Sequence, residues 1–143
     1  MVVVITSGYF DPVHIGHLEY FHKAKRLGDI HICIVNTNKQ AMMKKDYYFM
    51  DEEDRVEIVG ALKDVDMAML SIDTDATVCK TLEELRKRFP NEYLIFAKGG
   101  DRNKDNIPEY EVCRKNGIII MDGLGGKVRS SSEFIAKAKE EPK

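Results

Sequence analysis

The sequence predicts an α/β protein: a doubly wound sheet of five parallel strands with helices on both faces. Two observations support this prediction. Short apolar runs alternate along the chain with longer segments in which apolar residues recur at helical spacing. The 143 residues, 43% of them hydrophobic and 32% charged, suit one domain with one core. We therefore expect a single domain over residues 1–143, with a tail that frays from about residue 137.

Five short runs rich in β-branched and apolar residues are predicted to be the strands. Runs of this kind, bounded by polar or glycine-containing segments, are typical of strands buried on both faces of a parallel sheet. The first run leads into Ser7 and Gly8, and the fourth leads into Gly99 and Gly100. The runs cover residues 2–6, 30–35, 66–72, 92–98 and 117–121.

Helices are predicted between and after these strands, because the intervening segments carry apolar residues three or four positions apart. The segment from residue 36 to residue 50 is predicted to be a long polar loop, and loops of this length are usually functional or mobile. Parallel sheets bind ligands beyond the carboxyl ends of their strands. The predicted helices cover residues 15–27, 51–62, 76–88 and 108–116, and a last one begins at residues 130–132.

Charge and composition argue against several classes of protein. The 22 basic and 24 acidic residues nearly cancel, so the chain shows no electrostatic footprint for nucleic acid or for an anionic membrane. No apolar run approaches the roughly 20 residues of a membrane span, and the start of the chain lacks the basic region of a signal peptide. Three cysteines without a CxxC pair argue against a disulfide framework or a zinc site. We expect a cytoplasmic protein.

The string GYFDPVHIGH, residues 8–17, follows the first strand and enters the first helix. A strand that ends in a glycine turn before a helix presents backbone N–H groups and a positive helix end to an anion. His14 and His17 lie three positions apart and so share one helical face. Their imidazoles can donate to phosphate oxygens, and Gly16 between them lets a ligand approach the backbone.

This string resembles the signature of the HxGH nucleotidylyltransferase superfamily, and most closely its cytidylyltransferase-like family. That family includes glycerol-3-phosphate cytidylyltransferase, the adenylyltransferase part of ADP-heptose synthase and archaeal FAD synthetase. The resemblance implies a Rossmann-like fold and attack of a substrate phosphate on the α-phosphorus of CTP or ATP, with release of pyrophosphate. It also implies Mg²⁺, held mainly by the triphosphate, and a homodimer.

The same resemblance assigns roles to residues of the string. His14 and His17 are expected to contact the triphosphate and to stabilise the transition state. The backbone of Gly8, Tyr9 and Phe10 is expected around the α-phosphate. Asp11 either caps the loop or lies near the metal or substrate, and the sequence leaves these roles open.

Basic residues in and after the predicted loop are further candidates. Lys44 and Lys45 form a basic pair that can close over the triphosphate and exclude water, or they are simply solvated. The resemblance implies that one of them reaches the phosphates, and Lys45 is slightly favoured as the catalytic lysine. Arg55 lies one helical turn after Asp51, where the family often has an arginine. Its expected role is in nucleotide binding, with a structural role as the alternative.

Two motifs follow the fourth and fifth strands. In AKGGDR, Gly99 gives backbone access, Asp101 can accept from a hydroxyl, and Arg102 can bind a phosphate through two donors. The hydroxyls of Ser130, Ser131 and Ser132 at a predicted helix start form a phosphate cradle. Arg129, just before them, is expected to pair with the β- and γ-phosphates.

The sequence narrows the nucleotide to CTP or ATP and leaves several phosphorylated acceptors open. The short, compact chain resembles the cytidylyltransferases and favours CTP with an acceptor such as glycerol 3-phosphate or another polyol or sugar phosphate. The KGGD segment resembles the adenylyltransferases, which act with ATP on a sugar 1-phosphate or FMN. A nucleotide-binding module without catalysis is a third interpretation. A tRNA-charging enzyme is disfavoured, because such enzymes need several hundred residues and an RNA-binding surface.

Overall fold

A computed structural model of the protein describes residues 1–99 and 107–124. These residues form five strands and five helices, which alternate as the sequence predicts except for one additional helix. The elements are β1 Val2–Gly8, α1 Ile15–Lys25, β2 Ile30–Val35, α2 Asn38–Lys45, α3 Glu52–Gly60, β3 Met67–Leu70, α4 Cys79–Arg88, β4 Tyr93–Ala97, α5 Ile107–Lys115 and β5 Ile118–Met121.

All five strands are parallel and belong to one sheet with the order β3-β2-β1-β4-β5. The chain starts at the centre with β1, moves outward through β2 and β3, and then returns to the other side of β1 for β4 and β5. This confirms the predicted doubly wound fold. The order of strands reverses between β1 and β4, and loops diverge at such a switch point to leave a crevice for a ligand.

The residues of β1 point alternately to two core layers. Val3 and Ile5 pack with Leu82 of α4 on one face of the sheet, and Val4 packs with Ala24 of α1 on the other face. All five side chains are fully buried, and each large one contributes roughly 1.5–3 kcal/mol of hydrophobic stabilisation. Helices therefore cover both faces, as predicted. In the described part of the chain, no helix has the length and apolarity needed to cross a bilayer.

The predicted loop over residues 36–50 is wrong for Asn38–Lys45, which form α2. Thr37 caps this helix: its hydroxyl accepts from the Gln40 N–H at 3.1 Å, and its own N–H donates to the Gln40 side chain at 2.9 Å. This reciprocal arrangement is a capping box, which satisfies two backbone donors at a helix start. The polar composition of α2 hides it from a search for apolar spacing, since Gln40 and Ala41 are its buried residues.

Helix α4 begins at Cys79, three residues later than predicted, because an aspartate shapes the segment before it. The buried Asp73 carboxylate accepts from the N–H groups of Lys80 at 2.7 Å and Thr81 at 3.0 Å. The Asp75 side chain also accepts from the N–H of Thr77 at 2.9 Å. Residues 76–78 therefore form a bent, non-helical entrance to α4.

Because His31 on β2 is buried, we expect the protein to lose stability in mild acid. Its Nδ1 donates to the Asp64 carbonyl at 2.7 Å, and its Nε2 therefore accepts from the Thr6 hydroxyl at 2.7 Å. Burial lowers the pKa of His31 below its usual 6.5, against smaller opposing effects of Asp64 and Asp66. Below about pH 6.5 the unfolded chain thus binds a proton that the folded protein resists, so the free energy of unfolding falls as pH falls.

Denaturant unfolding at pH 7.5 and pH 5.5 measures this effect. We expect the His31→Gln variant to lose much of the decrease that the wild type shows between these values, whereas His22→Gln, at an exposed histidine, keeps it. Equal pH dependence in the wild type and the His31 variant contradicts the assignment. Carboxylates titrate near pH 4 and contribute little in this window.

Candidate active site

A cleft of about 380 Å³ opens at the carboxyl edge of the sheet, where the crevice of a doubly wound fold is expected. Its walls come from the ends of β1, β2 and β4, from the entrance to α4, and from α2 and α5. Ligands in such folds contact the residues that follow the strands, so this cleft is the candidate site. It is lined by Ser7, Gly8, Tyr9, Asn36, Lys44, Ala76, Thr77, Val78, Lys98 and Glu109.

The two histidines of the HIGH string stand together at the start of α1. His14 is the N-cap, and its Nδ1 accepts from the Gly16 N–H at 3.1 Å. The Nδ1 of His17 accepts from the His14 N–H at 3.1 Å, and the two rings stack with centres 3.8 Å apart. Because both Nδ1 atoms accept, each neutral ring carries its proton on Nε2. The pair thus presents Nε2–H donors at a positive helix end, which suits an anion.

The turn after β1 is built around the ring of Phe10. This residue has a left-handed backbone, with φ of 52°, and its ring is buried. The ring lies over Gly8, where an added Cβ would come within 2.7 Å of the Phe10 Cζ atom. Gly8 is therefore needed because no side chain fits under the ring. The sequence assigns these residues only a role around the phosphate, and it does not reveal that the Phe10 side chain belongs to the core.

Gly8→Ala is expected to lower the free energy of unfolding by about 1–3 kcal/mol, because the new methyl group displaces the Phe10 ring. Turnover should fall as well, since the same turn leads to the histidines. Gly60→Ala is the matched control: its Cβ would meet Ala68 at an ordinary 3.5 Å, so we expect no loss of stability. Denaturant unfolding of both variants checks the prediction, and equal stability of the two would contradict it.

Asp11 ties the turn to the segment that follows α2. Its two carboxylate oxygens accept from the N–H groups of Phe49 and Met50, both at 2.8 Å, and the Lys45 ammonium lies 3.6 Å away. Burial raises the pKa of the Asp11 carboxyl, but these N–H groups and Lys45 outweigh it, so the pKa lies below its usual value. Of the roles that the sequence leaves open for Asp11, the structure shows a loop cap.

The two candidate lysines occupy different places in the last turn of α2. Lys44 lines the cleft, and its ammonium lies 5.8 Å from the centre of the Tyr9 ring. Lys45, which the sequence favours as catalytic, faces Asp11 and lies 5.7 Å from the same ring. Both are placed near the turn, and Lys44 is the one that reaches the cleft wall.

Arg55 lies beneath the site and does not face it. Its side chain is fully buried, and it donates to the carbonyl oxygens of Tyr9 at 2.8 Å, Asn36 at 2.7 Å and Met50 at 2.8 Å. It also donates to the side-chain oxygen of Asn38 at 2.8 Å. This geometry does not fit the predicted contact with the nucleotide. It fits the structural alternative, in which Arg55 holds three segments of the site together.

Two charged residues of the cleft, Lys98 and Glu109, are not among the site residues that the sequence predicts. The Lys98 ammonium lies 3.3 Å from the Glu109 carboxylate, whose second oxygen accepts from the Val78 N–H at 3.0 Å. The position of Lys98 directly after β4 is the signal that identifies it. Gly99 follows it, near the Tyr20 ring. The other residues predicted for the site lie outside the described residues: Asp101, Arg102, Arg129, Ser130, Ser131 and Ser132.

Within residues 1–99 and 107–124, no group of three or more His, Cys, Asp or Glu side chains could hold a metal ion. The carboxylate of Asp11, the acidic residue of the string, is already engaged by two N–H groups. A Mg²⁺ ion that reaches this part of the site therefore needs most of its oxygen ligands from a bound nucleotide or from water, which is its usual preference.

Comparison with known families agrees with this geometry. The family model described as Cytidylyltransferase-like matches residues 5–141. The chain belongs to this family. The resemblance of the GYFDPVHIGH string is thereby confirmed, and the protein is a nucleotidylyltransferase-like enzyme of the cytidylyltransferase-like family.

Relatives within the family carry two kinds of name. A FAD synthase from Archaeoglobus profundus is 38% identical over 118 residues, which cover 82% of this chain and 70% of that protein. A FAD synthase from Thermoplasma acidophilum is 35% identical and covers 98% of this chain and 96% of that protein. The bifunctional protein HldE from Citrifermentans bemidjiense is 34% identical over 94% of this chain, which corresponds to only 26% of that protein.

A solved structure supports the fold of this family member. The crystal structure of the lipopolysaccharide core biosynthesis protein from Thermoplasma volcanium GSS1 matches with a TM-score of 0.69 and 28% sequence identity. The match covers 85% of this chain and 93% of that chain.

Proposed function

We propose that this protein is an ATP-dependent adenylyltransferase that transfers AMP to FMN and releases pyrophosphate. The observation that carries this proposal is the full-length match to proteins named FAD synthase, of which the chain covers up to 96%. The preference for CTP rests on the short, compact chain. FAD synthases of similar length share that property, so it does not distinguish the two nucleotides.

Exposed aromatic rings beside the turn support a flat acceptor. Tyr47, Tyr48 and Phe49 are exposed to 49%, 41% and 71%, and they lie in the segment that Asp11 holds against the turn. The Lys45 ammonium lies 5.2 Å from the centre of the Tyr47 ring. Exposed rings of this kind stack on other flat ring systems, and an isoalloxazine ring meets that chemistry better than a sugar does.

In the proposed reaction, a phosphate oxygen of FMN attacks the α-phosphorus of ATP and forms a new P–O bond. The bond from the α-phosphorus to the oxygen that bridges to the β-phosphorus breaks, and pyrophosphate leaves with its electron pair. The Nε2–H groups of His14 and His17 donate to phosphate oxygens whose negative charge increases in the transition state. Lys44 and Lys45 offset further charge. The attacking phosphate is already ionised, so the reaction depends on positioning and not on a general base.

We propose that Mg²⁺, when bound, would be held mainly by the oxygens of the triphosphate and would neutralise part of their charge. The residues of this chain then bind and orient the phosphates around it. A homodimer and a cytoplasmic location remain predictions of the sequence analysis.

Adenylyl transfer to a sugar 1-phosphate is the second candidate. It is favoured by the similarity to HldE over 94% of the chain and by the KGGD segment at residues 98–101. A cytidylyltransferase and a nucleotide-binding module without catalysis follow it, since the relatives named here give neither of them specific support.

Initial rates of pyrophosphate release distinguish these candidates. ATP and CTP are each combined with FMN, a sugar 1-phosphate and glycerol 3-phosphate, at equal concentrations and with Mg²⁺. We expect ATP with FMN to be fastest, with FAD as the product. The highest rate with ATP and the sugar phosphate supports the second candidate, and the highest rate with CTP contradicts the adenylyltransferase proposal. Nucleotide binding without pyrophosphate release in any combination supports the binding module.

A further inference from the structure

From the ion pair in the cleft wall, we infer that Lys98 binds the phosphate group of the acceptor and that Glu109 positions Lys98 for this role. The inference rests on the proposed function only in treating the ligand of the cleft as a phosphorylated acceptor. It holds for FMN and for a sugar phosphate alike, because both carry a phosphate monoester.

The position of the cleft makes it suitable for the acceptor. It is formed by the ends of β1 and β2, the entrance to α4 and the end of β4, and its lining does not include His14 or His17. The cleft and the histidine pair are instead neighbours that share the turn at Gly8 and Tyr9. Two reactants bound on either side of this turn would meet there, which is the arrangement that transfer between them requires.

Lys98 is held so that its ammonium reaches this cleft. Its backbone N–H donates to the Met121 carbonyl at 2.7 Å, and its carbonyl accepts from the Leu124 N–H at 3.0 Å. Its side chain is only 18% exposed, and the ammonium lies 5.2 Å from the centre of the Phe96 ring. An ammonium group has three N–H donors, so Lys98 can keep its contact with Glu109 and still donate to a phosphate oxygen.

Glu109 is a buried carboxylate that the proposed chemistry does not otherwise use. Its side chain is 8% exposed, and both of its oxygens have partners: Lys98 for one and the Val78 N–H for the other. Val78 precedes α4 and supplies no side-chain cap of its own. Glu109 thus links the Lys98 ammonium to the backbone at the entrance of α4 and fixes the position of the ammonium in the cleft wall.

The charges of the cleft match a phosphate monoester. Among the lining residues that the structure describes, Lys44 and Lys98 are basic and Glu109 is acidic. A phosphate monoester carries a charge of about −1.5 to −2 near neutral pH. Two ammonium groups on separate segments can grip such a group from two directions, and the partial neutralisation of Lys98 by Glu109 keeps this buried charge stable without an acceptor.

Flavin fluorescence and calorimetry test the role of Lys98 through the phosphate itself. Binding of FMN is compared with binding of riboflavin, which lacks the phosphate, and glucose 1-phosphate is compared with glucose. We expect Lys98→Met to weaken binding of the phosphorylated member of the pair by ~10–100-fold, the loss of one charged hydrogen bond, and to leave the other member unchanged. Lys98→Arg should restore part of the difference. Lys87→Met, at an exposed lysine of α4, is the control.

The role of Glu109 is tested by a double-mutant cycle. Glu109→Gln keeps an oxygen for the Val78 N–H and removes the charge that holds Lys98. We expect the KM for the acceptor to rise by roughly 3–10-fold, with the KM for ATP and the melting temperature unchanged. In the Lys98→Met background the same change should have no further effect, because Glu109 acts through Lys98. The double variant also replaces the buried ion pair by two neutral groups, so Glu109 is no longer left as an unpaired buried charge. If Lys98→Met loses stability for that reason, the double variant should be more stable than Lys98→Met.

Three results would overturn the inference. One is an equal loss of FMN and riboflavin binding in Lys98→Met at wild-type stability. Another is additivity of the two substitutions in acceptor KM. The third is a wild-type protein that binds neither phosphorylated probe more tightly than its dephosphorylated counterpart. Tighter binding of glucose 1-phosphate than of FMN would instead contradict the proposed acceptor. The role of Lys98 would still be supported if Lys98→Met weakened the preference for glucose 1-phosphate over glucose.

Discussion

The His17→Ala variant is expected to lose ~10²–10³ in turnover, the effect of removing one preorganised donor to a developing negative charge. The Nδ1 of His17 accepts from the His14 N–H, so the neutral ring carries its proton on Nε2 and can donate it to a phosphate oxygen. Steady-state pyrophosphate release measures the loss. It should appear in kcat, because the donor acts on charge that is greater in the transition state than in bound ATP.

Two further variants separate chemistry from helix capping. His17→Asn offers an acceptor to the His14 N–H but no donor in place of Nε2–H, so we expect wild-type stability together with low turnover. His22→Ala removes an exposed histidine from the same helix, which pairs with Asp64 at 3.3 Å, and should leave turnover unchanged. Near-normal turnover of His17→Asn would remove His17 from the mechanism. Equal losses in the His17 and His22 variants would point to a general defect of α1.

Arg55→Met is expected to lower the free energy of unfolding by about 3 kcal/mol or more, because it leaves buried carbonyl groups without their donor. For a domain of this size, that loss corresponds to a decrease in melting temperature on the order of 10 °C. Turnover should fall as well, since the same guanidinium joins the turn at Tyr9 to the segments at Asn36 and Met50. Thermal unfolding and pyrophosphate release measure the two effects.

The Arg55→Lys variant separates the effect of charge from the effect of geometry. A lysine keeps the positive charge but cannot reproduce the planar guanidinium group that reaches these carbonyl oxygens. We expect it to lose most of the stability that Arg55→Met loses. Arg88→Met, which removes an exposed arginine paired with Glu84, should change stability by less than about 1 kcal/mol. Wild-type stability of Arg55→Lys with a raised KM for ATP would contradict the structural role and restore the predicted contact with the nucleotide.

The sheet could be predicted because its signals are local. Each strand is a continuous apolar run, and the turn at Gly8 and the two histidines belong to one contiguous string, so both are visible without knowledge of the fold. Helix α2 was missed because its surface is polar, although the Thr37–Gln40 capping box was readable. The strand order could not be predicted in this way, because right-handed parallel connections are compatible with several orders besides the observed β3-β2-β1-β4-β5.

The remainder of the site depends on contacts that sequence spacing does not reveal. Charged side chains are usually exposed, so nothing local indicates that Arg55 is fully buried. Asp11 meets Phe49 and Met50 only after α2 has brought them back to the turn. Lys98 and Glu109 are 11 residues apart, and they meet only in the folded protein, where Lys98 follows β4 and Glu109 lies in α5. The nucleotide was not predictable, because chain length is common to both kinds of enzyme.

Adenylyl transfer to FMN is tested most directly by following labelled ATP through one reaction with FMN and Mg²⁺. ATP labelled at the α-phosphorus is used in one sample and ATP labelled at the γ-phosphorus in another, and the products are separated by chromatography. We expect α-label in FAD and γ-label in pyrophosphate, with both products forming far more slowly in His17→Asn. Absence of α-label from FAD would contradict adenylyl transfer to FMN. This holds if the same preparation transfers a nucleotide to another acceptor, and also if it transfers no nucleotide to any acceptor.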